Sequence, residues 1–378
     1  MGKLKGIIVI LIVSLLILGA AFPYIKWERS QVKELNVFIL DKTVPDNSYR
    51  EHRRLIYALN HYKYQKKDST EYNLEDYSGF YPLEDEKYKT SNVKDDLKEN
   101  TDLIYIADSY GVYEEEFFKN KIEGERSEII YGGLKSEEIE VIKEQVYENN
   151  IPLVAEFNTF GSPTDTAARK EIEEILGVKW SGWIGRYFNE LDYEKNEEVP
   201  AWIIRAYEGG EDESWAFKGS GFILASDQDE IIVLEAKDFK GKGIAIDFTD
   251  KGREFFETDK TSAYGYWFDI VETREAEAYA WYKWDLTKEG EEKISARGIP
   301  KIFPSITRRT VNTTPIYYFA GDFADTSRDR GFYKYEGLSK IMGAVSKFNG
   351  DNDTKFQWRI YYPVMKNILE EAYSLNTN

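Results

Sequence analysis

The chain has 378 residues, enough for a large core, and a formal charge of −18 from 50 basic and 68 acidic residues. That excess of acid repels phosphate backbones, so nucleic acid is excluded as a partner. With no Cys and only two His, it also lacks disulfides, thiolate chemistry and the usual transition-metal ligands. From the N-terminus, residues 1–5 read as a cytoplasmic head. Gly6–Phe22 is uncharged over 17 residues. As a helix it would reach about 26 Å, close to the ~30 Å hydrocarbon core. This predicts an uncleaved signal-anchor that places the chain in the cell membrane, single-pass, with its bulk outside and Tyr24 and Trp27 at headgroup level. Residues 23–34 form a linker.

Leu35–Leu40 is the first predicted strand and ends at Asp41. Tyr49–Tyr64 is a helix with Leu55, Leu59 and Tyr62 on one face; His52 and His61 are expected at its surface or edge. A long polar excursion, Lys66–Asn100, leads to the apolar run Leu103–Ala107. Ile129–Tyr131 and Leu153–Ala155 are two more short runs, with a helix from Ser136 between them. Short apolar runs alternating with helices predict an α/β fold around a mainly parallel sheet. After Trp180 the pattern becomes β-rich: a Gly/aromatic loop at Gly182–Tyr187, then strands at Ala201–Arg205, Gly221–Ala225, Ile231–Glu235 and Gly243–Phe248. A strand at Ile316–Ala320 precedes Gly321-Asp322-Phe323-Ala324-Asp325. Two helices close the chain; Leu338, Ile341, Met342 and Val345 form the apolar stripe of the first, and Pro363 opens the second.

Strand, helix, a YGGL turn at Tyr131–Leu134, a Glu-rich helix and then IPLVAEF at Ile151–Phe157 resemble the class I glutamine amidotransferase-like superfamily over roughly Leu35–Phe248. The resemblance implies a flavodoxin-like three-layer sandwich, with residues 35–265 as its domain and 266–378 as a C-terminal α+β region, separate or part of the same domain. Active members carry a Cys nucleophile at the elbow after the strand matching Pro152–Ala155, and a downstream His. Here the elbow holds Glu156, Phe157 and Asn158, and both His lie upstream. The family's activity is therefore expected to be absent.

Ligands of open α/β sheets bind beyond the carboxyl ends of the strands. The expected ligand-binding residues are Asp41, Asp108, Tyr110, Glu156 and Asn158 at those ends, with Trp183 and Arg186 from the aromatic loops. Paired carboxylates do acid–base work or hold a hard cation, although a chain with 68 acids places several near any cleft. Trp180, Trp183, Tyr187, Trp202 and Trp215 offer stacking faces for a saccharide. Asp322, Asp325 and Asp329 do not have the spacing of an EF-hand loop, so no metal is assigned. No P-loop or GxGxxG occurs, and no cofactor is expected. The resulting expectation is a membrane-anchored binding or accessory protein with a catalytically dead domain, a glycan ligand and membrane-protein partners. A carboxylate-dependent enzyme using residues such as Asp108 and Glu156, or a structural subunit of a membrane synthesis complex, are the alternative readings.

Overall fold

The computed structural model describes residues 7, 14, 18–19, 21–118, 127–211, 214–328 and 334–377. Its main strands and helices, in chain order, begin with β1 (Val37–Asp41), α1 (Arg50–His61), β2 (Ser78–Pro82), β3 (Tyr88–Thr90) and β4 (Leu103–Asp108). Next come α2 (Ser136–Tyr147), β5 (Leu153–Ala155), α3 (Thr166–Leu176), β6 (Val178–Phe188), α4 (Ala201–Glu211), β7 (Gly221–Ser226), β8 (Ile231–Glu235) and β9 (Ile244–Phe248). The last part holds β10 (Ser262–Tyr264), β11 (Phe268–Thr273), β12 (Glu277–Lys283), β13 (Ile302–Val311), β14 (Thr314–Phe319), α5 (Leu338–Asn349) and α6 (Tyr362–Thr377).

Ten strands form one sheet in the order β10-β9-β12-β13-β14-β5-β4-β1-β2-β3. The four pairings from β14 to β2 are parallel. The other five, β3 on β2 and the β13-side hairpins, are antiparallel. The flavodoxin-like expectation with a mainly parallel sheet is thus corrected to a mixed ten-stranded sheet. Its parallel centre explains the continuous apolar runs: Ile104, Tyr105, Ile106, Leu153 and Val154 are fully buried, as strands covered on both faces must be. Ile129–Tyr131 instead pairs in a small antiparallel ribbon with Val112–Tyr113, outside the main sheet, and Ile129 is exposed. A second, antiparallel sheet, β8-β7-β6-β11, takes in the predicted Gly/aromatic loop as the long strand β6. The predicted strand at Ala201–Arg205 is the helix α4. Ile203 joins the small core with Phe188, Ile223 and Val233, where tertiary burial outweighs the local β propensity.

The expected membrane span, Gly6–Phe22, lies largely outside the described residues; among these no helix is long and apolar enough to cross a membrane. The single-span architecture is therefore not supported. The stripe on α5 is only half inward: Leu338 and Met342 pack on the core, whereas Ile341 and Val345 are exposed.

One buried tie joins β1 to α2, and one close approach joins β1 to β2. Lys42, just after β1, donates to Gly133 O at 2.7 Å and to both oxygens of Glu138, in the first turn of α2, at 2.7 and 2.8 Å. Burial lowers the Lys42 pKa, and the Glu138 carboxylate works against that shift. Gly79 of β2 lies so close to β1 that a Cβ there would sit 1.6 Å from Asp41 O. Gly79→Ala is expected to lower stability by at least about 2 kcal/mol through this backbone clash, read as the shift of a urea midpoint at unchanged slope.

Candidate functional site

The carboxyl ends of β1, β4, β5 and β14 lie side by side along one rim of the sheet. Each runs straight into an acidic residue or an acidic loop: Asp41, Asp108, Glu156, and the segment Gly321–Asp325. The first turn of α1 brings Arg50, Glu51 and His52 over the same rim. All of these acids are buried.

Their partners separate them into roles. Asp41 Oδ2 meets His52 Nδ1 at 2.5 Å, and its Oδ1 accepts from Thr43 N at 2.9 Å. The other ring nitrogen of His52 faces Leu74 O at 2.8 Å. Both ring nitrogens face oxygen, so His52 and Asp41 are committed to partners within the protein. His52 and His61 are buried, not the surface residues their helical positions suggested, because α1 is covered by the Leu74 loop and the C-terminal helical segment.

Glu156 is a clasp. Its Oε2 accepts from Phe323 N and Ala324 N, both at 2.8 Å, and its Oε1 from the Tyr105 hydroxyl. It thereby aims the residues on either side of those amides, Asp322 and Asp325. Arg54, also fully buried, holds the same segment by donating to Phe323 O and to Asp353, with its guanidinium 5.5 Å from the Phe356 ring. Burial pushes the Glu156 carboxyl up to about 8 against the pull of its three donors.

Of the remaining four acids, Asp325 pairs with Arg50 and the other three meet one another. Glu51, Asp108 and Asp322 each offer a carboxylate oxygen, and these oxygens all lie within 4.8 Å. Asp108 accepts from Thr43 Oγ1 at 2.5 Å, Tyr110 N at 2.6 Å and Asn158 Nδ2 at 2.8 Å. Burial, followed by the Asp41 charge, raises it to about 7. Glu51 is raised well above the carboxylate range by burial and then by Asp325 and Asp322. Its ion pair is with Arg50 Nε, 3.7 Å away, which sits closer to Asp325 Oδ2, at 2.9 Å. Asp322 is raised by burial and then by Asp325 and Asp108. Its Oδ1 is buried and accepts no hydrogen bond. Two unit charges 4.8 Å apart repel by about 3.5 kcal/mol at an effective dielectric of ~20, so the three cannot all be ionised and bare.

Asp322 and Asp325 also border a cavity of about 780 Å³. Around it stand Arg50, Arg186, Tyr187 and Tyr266, with Asn189 and Asn196 toward the rim. The Arg186 guanidinium lies 4.5 Å from the Tyr266 ring and pairs with Glu198, and Arg50 Nη2 donates to the Tyr266 hydroxyl at 2.7 Å. The two arginines thus grip Tyr266 from its face and its edge.

Of the residues expected to bind ligand, Asp41, Asp108, Tyr110 and Asn158 form one hydrogen-bonded group at the strand ends, and Arg186 is on the cavity wall. Glu156 sits beneath, committed to the clasp. Trp183 is buried in the main core with Trp180, whose Nε1 donates to Trp183 O at 3.0 Å; Trp215 is buried against Leu191 O. Tyr187 borders the cavity but is buried in the main core as well, and Trp202 packs against the small core; the half-buried ring on the cavity wall is Tyr266, which was not among the expected stacking residues. Sequence reasoning passed over Glu51 and set Asp322 aside. The strand-end rule that selected Asp108 applies equally to Asp322 after β14; judging its acidic segment only as a contiguous loop concealed this.

No family model matches the chain, and no curated protein does. Solved structures to which it is similar include a cold-adapted β-galactosidase from Rahnella sp. R3, at 10% identity over 74% of this chain and 24% of that one, with a TM-score of 0.33. A carbohydrate deacetylase follows at 8% identity, 77% and 30% coverage and a TM-score of 0.29. An exo-β-1,4-mannosidase from Opitutaceae bacterium strain TAV5 has 12% identity, 87% and 36% coverage and a TM-score of 0.30. The chain spans about a quarter to a third of the length of these structures. With five of nine sheet pairings antiparallel, the amidotransferase-like resemblance is withdrawn. The reading as a catalytically dead binding or accessory protein falls with it. The rim carries a cluster of three buried carboxylates, Glu51, Asp108 and Asp322.

Two outcomes test the clasp and the burial of acid. Glu156→Ala leaves two backbone amides and a tyrosine hydroxyl without an acceptor and is expected to cost about 3–5 kcal/mol. Glu156→Gln keeps an oxygen for the amides and is expected to cost under about 1.5 kcal/mol, both read from urea melts. Glu156 and Asp269 are raised to about 8 and about 7, in each case by burial. Their folded values exceed their unfolded ones, so the stabilisation is whole below pH ~4 and is lost as pH rises through 7 and 8. The Tm is expected to fall between pH 5 and 9, and Glu156→Gln to flatten the upper part of that fall, as followed by calorimetry.

Proposed function

We propose that the chain is a carboxylate-dependent enzyme acting on a polysaccharide bound in the cavity that Asp322 borders. The observation that carries this reading is the convergence of Glu51, Asp108 and Asp322 within 4.8 Å beside a cavity of about 780 Å³. Burying three acids together is costly, and such arrangements concentrate at sites where a proton or a water is to be handled. The volume falls in the range of ligand sites, ~300–1,000 Å³. Tyr266 supplies ring surface for a sugar face, and Asn189 and Asn196 supply donors and acceptors for hydroxyls. Seven basic and six acidic side chains line the cavity of a chain that is strongly acidic overall. An anionic sugar is thus tolerated there, with Arg50 and Arg186 as its carboxylate partners.

In this reading the cluster activates a water for attack on the sugar. Asp322 faces the substrate, with Asp108 and Glu51 behind it; Glu156 is a positioning residue. Placement outside the cytoplasm belongs to the same proposal and rests on the uncharged Gly6–Phe22 stretch of the sequence.

The test is turnover of envelope and exopolysaccharide preparations by the full chain, followed as released reducing ends and released acyl groups. The wild type is expected to release one of the two, and Asp322→Asn to lower that rate by at least ~100-fold with its fold intact. A wild-type chain that releases neither, or an undiminished Asp322→Asn variant, defeats the proposal.

A further inference from the structure

The cluster presents a question that hydrogen bonding within the protein does not answer. Asp41 is hydrogen-bonded to His52, Asp325 is paired with Arg50, and Glu156 is filled by its three donors. Glu51, Asp108 and Asp322 remain, drawn together from three separate places along the chain. Asp322 is the decisive residue: its carboxyl offers an oxygen to the group, and its buried Oδ1 accepts no hydrogen bond. A buried carboxylate oxygen without a donor is rare in folded proteins and calls for an ion, a water or a proton.

We propose that Glu51, Asp108 and Asp322 form a binding site for one hard divalent cation, Ca²⁺, Mg²⁺ or Mn²⁺, at the floor of the cavity. Three oxygens within 4.8 Å of one another fit around an ion at ~2.1–2.5 Å from each, since opposite ligands then stand ~4.2–5 Å apart. The donor set is all oxygen. His52, the nearest nitrogen ligand by sequence, has both ring nitrogens committed to Asp41 and Leu74, and the chain has no Cys. That chemistry selects a hard ion over zinc or copper. The surroundings are built to hold the ligands still. Thr43, Tyr110 N and Asn158 fix Asp108, the Glu156 clasp fixes the loop of Asp322, and α1 carries Glu51 in its first turn. The bound ion would supply the positive charge that the cluster lacks, and its remaining positions would face the cavity, where Asp322 already lies.

The proposal is independent of the substrate, because cation binding is measured with no saccharide present. The full chain, stripped with a chelator and dialysed into 0.15 M KCl at about pH 7.5, is titrated calorimetrically with each chloride salt in turn. One equivalent of at least one cation is expected to bind with a Kd below ~1 mM. At a hundredfold excess over Kd the Tm is expected to rise by at least about 3 °C. Asp322→Asn is expected to weaken binding at least ~30-fold, while its cation-free Tm equals or exceeds that of the stripped wild type because a repulsive charge is gone. Glu51→Gln provides the second variant, and Asp250→Asn, at a fully exposed position, is expected to bind as the wild type does. Failure of all three cations to bind, or equal binding by Asp322→Asn and Glu51→Gln, overturns the site and leaves the enzymatic proposal to its own test.

Discussion

A carboxylate that leaves water needs donors, a cation or a proton, and the rim of the large sheet is arranged around that requirement. Four parallel strands end together, and each delivers an acid or an acidic loop to the same place. Donors answer Glu156, a histidine answers Asp41, and an arginine answers Asp325. What is left over is the crowding of Glu51, Asp108 and Asp322, in which Asp322 Oδ1 has no donor. The shape of the cavity, the position of α1 and the course of the loop after β14 all follow from how these charges are distributed.

The scaffold that permits this is the dry parallel centre of the sheet. Ile104, Leu153 and Tyr318 are buried on strands whose register is fixed on both sides, so the strand ends are located within narrow limits. Arg54 and Lys42 extend the same logic to charged groups. Each is almost wholly buried, and each is tied to a carboxylate and a carbonyl from distant chain. Such pairs contribute little net stability against an apolar replacement, but they admit few alternative arrangements of the segments they join.

Much of the central sheet was readable in the residues themselves. Leu35–Leu40, broken only by Asn36, and Leu103–Ala107 and Leu153–Ala155 are apolar runs that end at turns, and the structure has strands there with Asp41, Asp108 and Glu156 at their ends. The antiparallel half was less legible, because hairpins such as β12–β13 differ from buried parallel strands only in partners far along the chain. Ala201–Arg205 reads as a strand by composition, yet it folds as a helix because its neighbours bury Ile203 in a small separate core. At the site, periodicity could name the strand-end acids but not their company. Glu51 and Asp322 are 271 residues apart, and nothing local to either announces the meeting. Trp183 illustrates the converse: an aromatic in a glycine-rich stretch looks like a recognition loop, and pairing with β7 and β11 turns it into core.

The Glu156 clasp has a consequence for how the molecule comes together. Its carboxylate lies just beyond β5, and the amides it receives lie just beyond β14, more than 160 residues later. The acidic rim is therefore incomplete until the late strands have joined the early ones. An N-terminal fragment that formed the first half of the sheet would still lack Asp322, so the carboxylate cluster is assembled only when both halves of the sheet are in place.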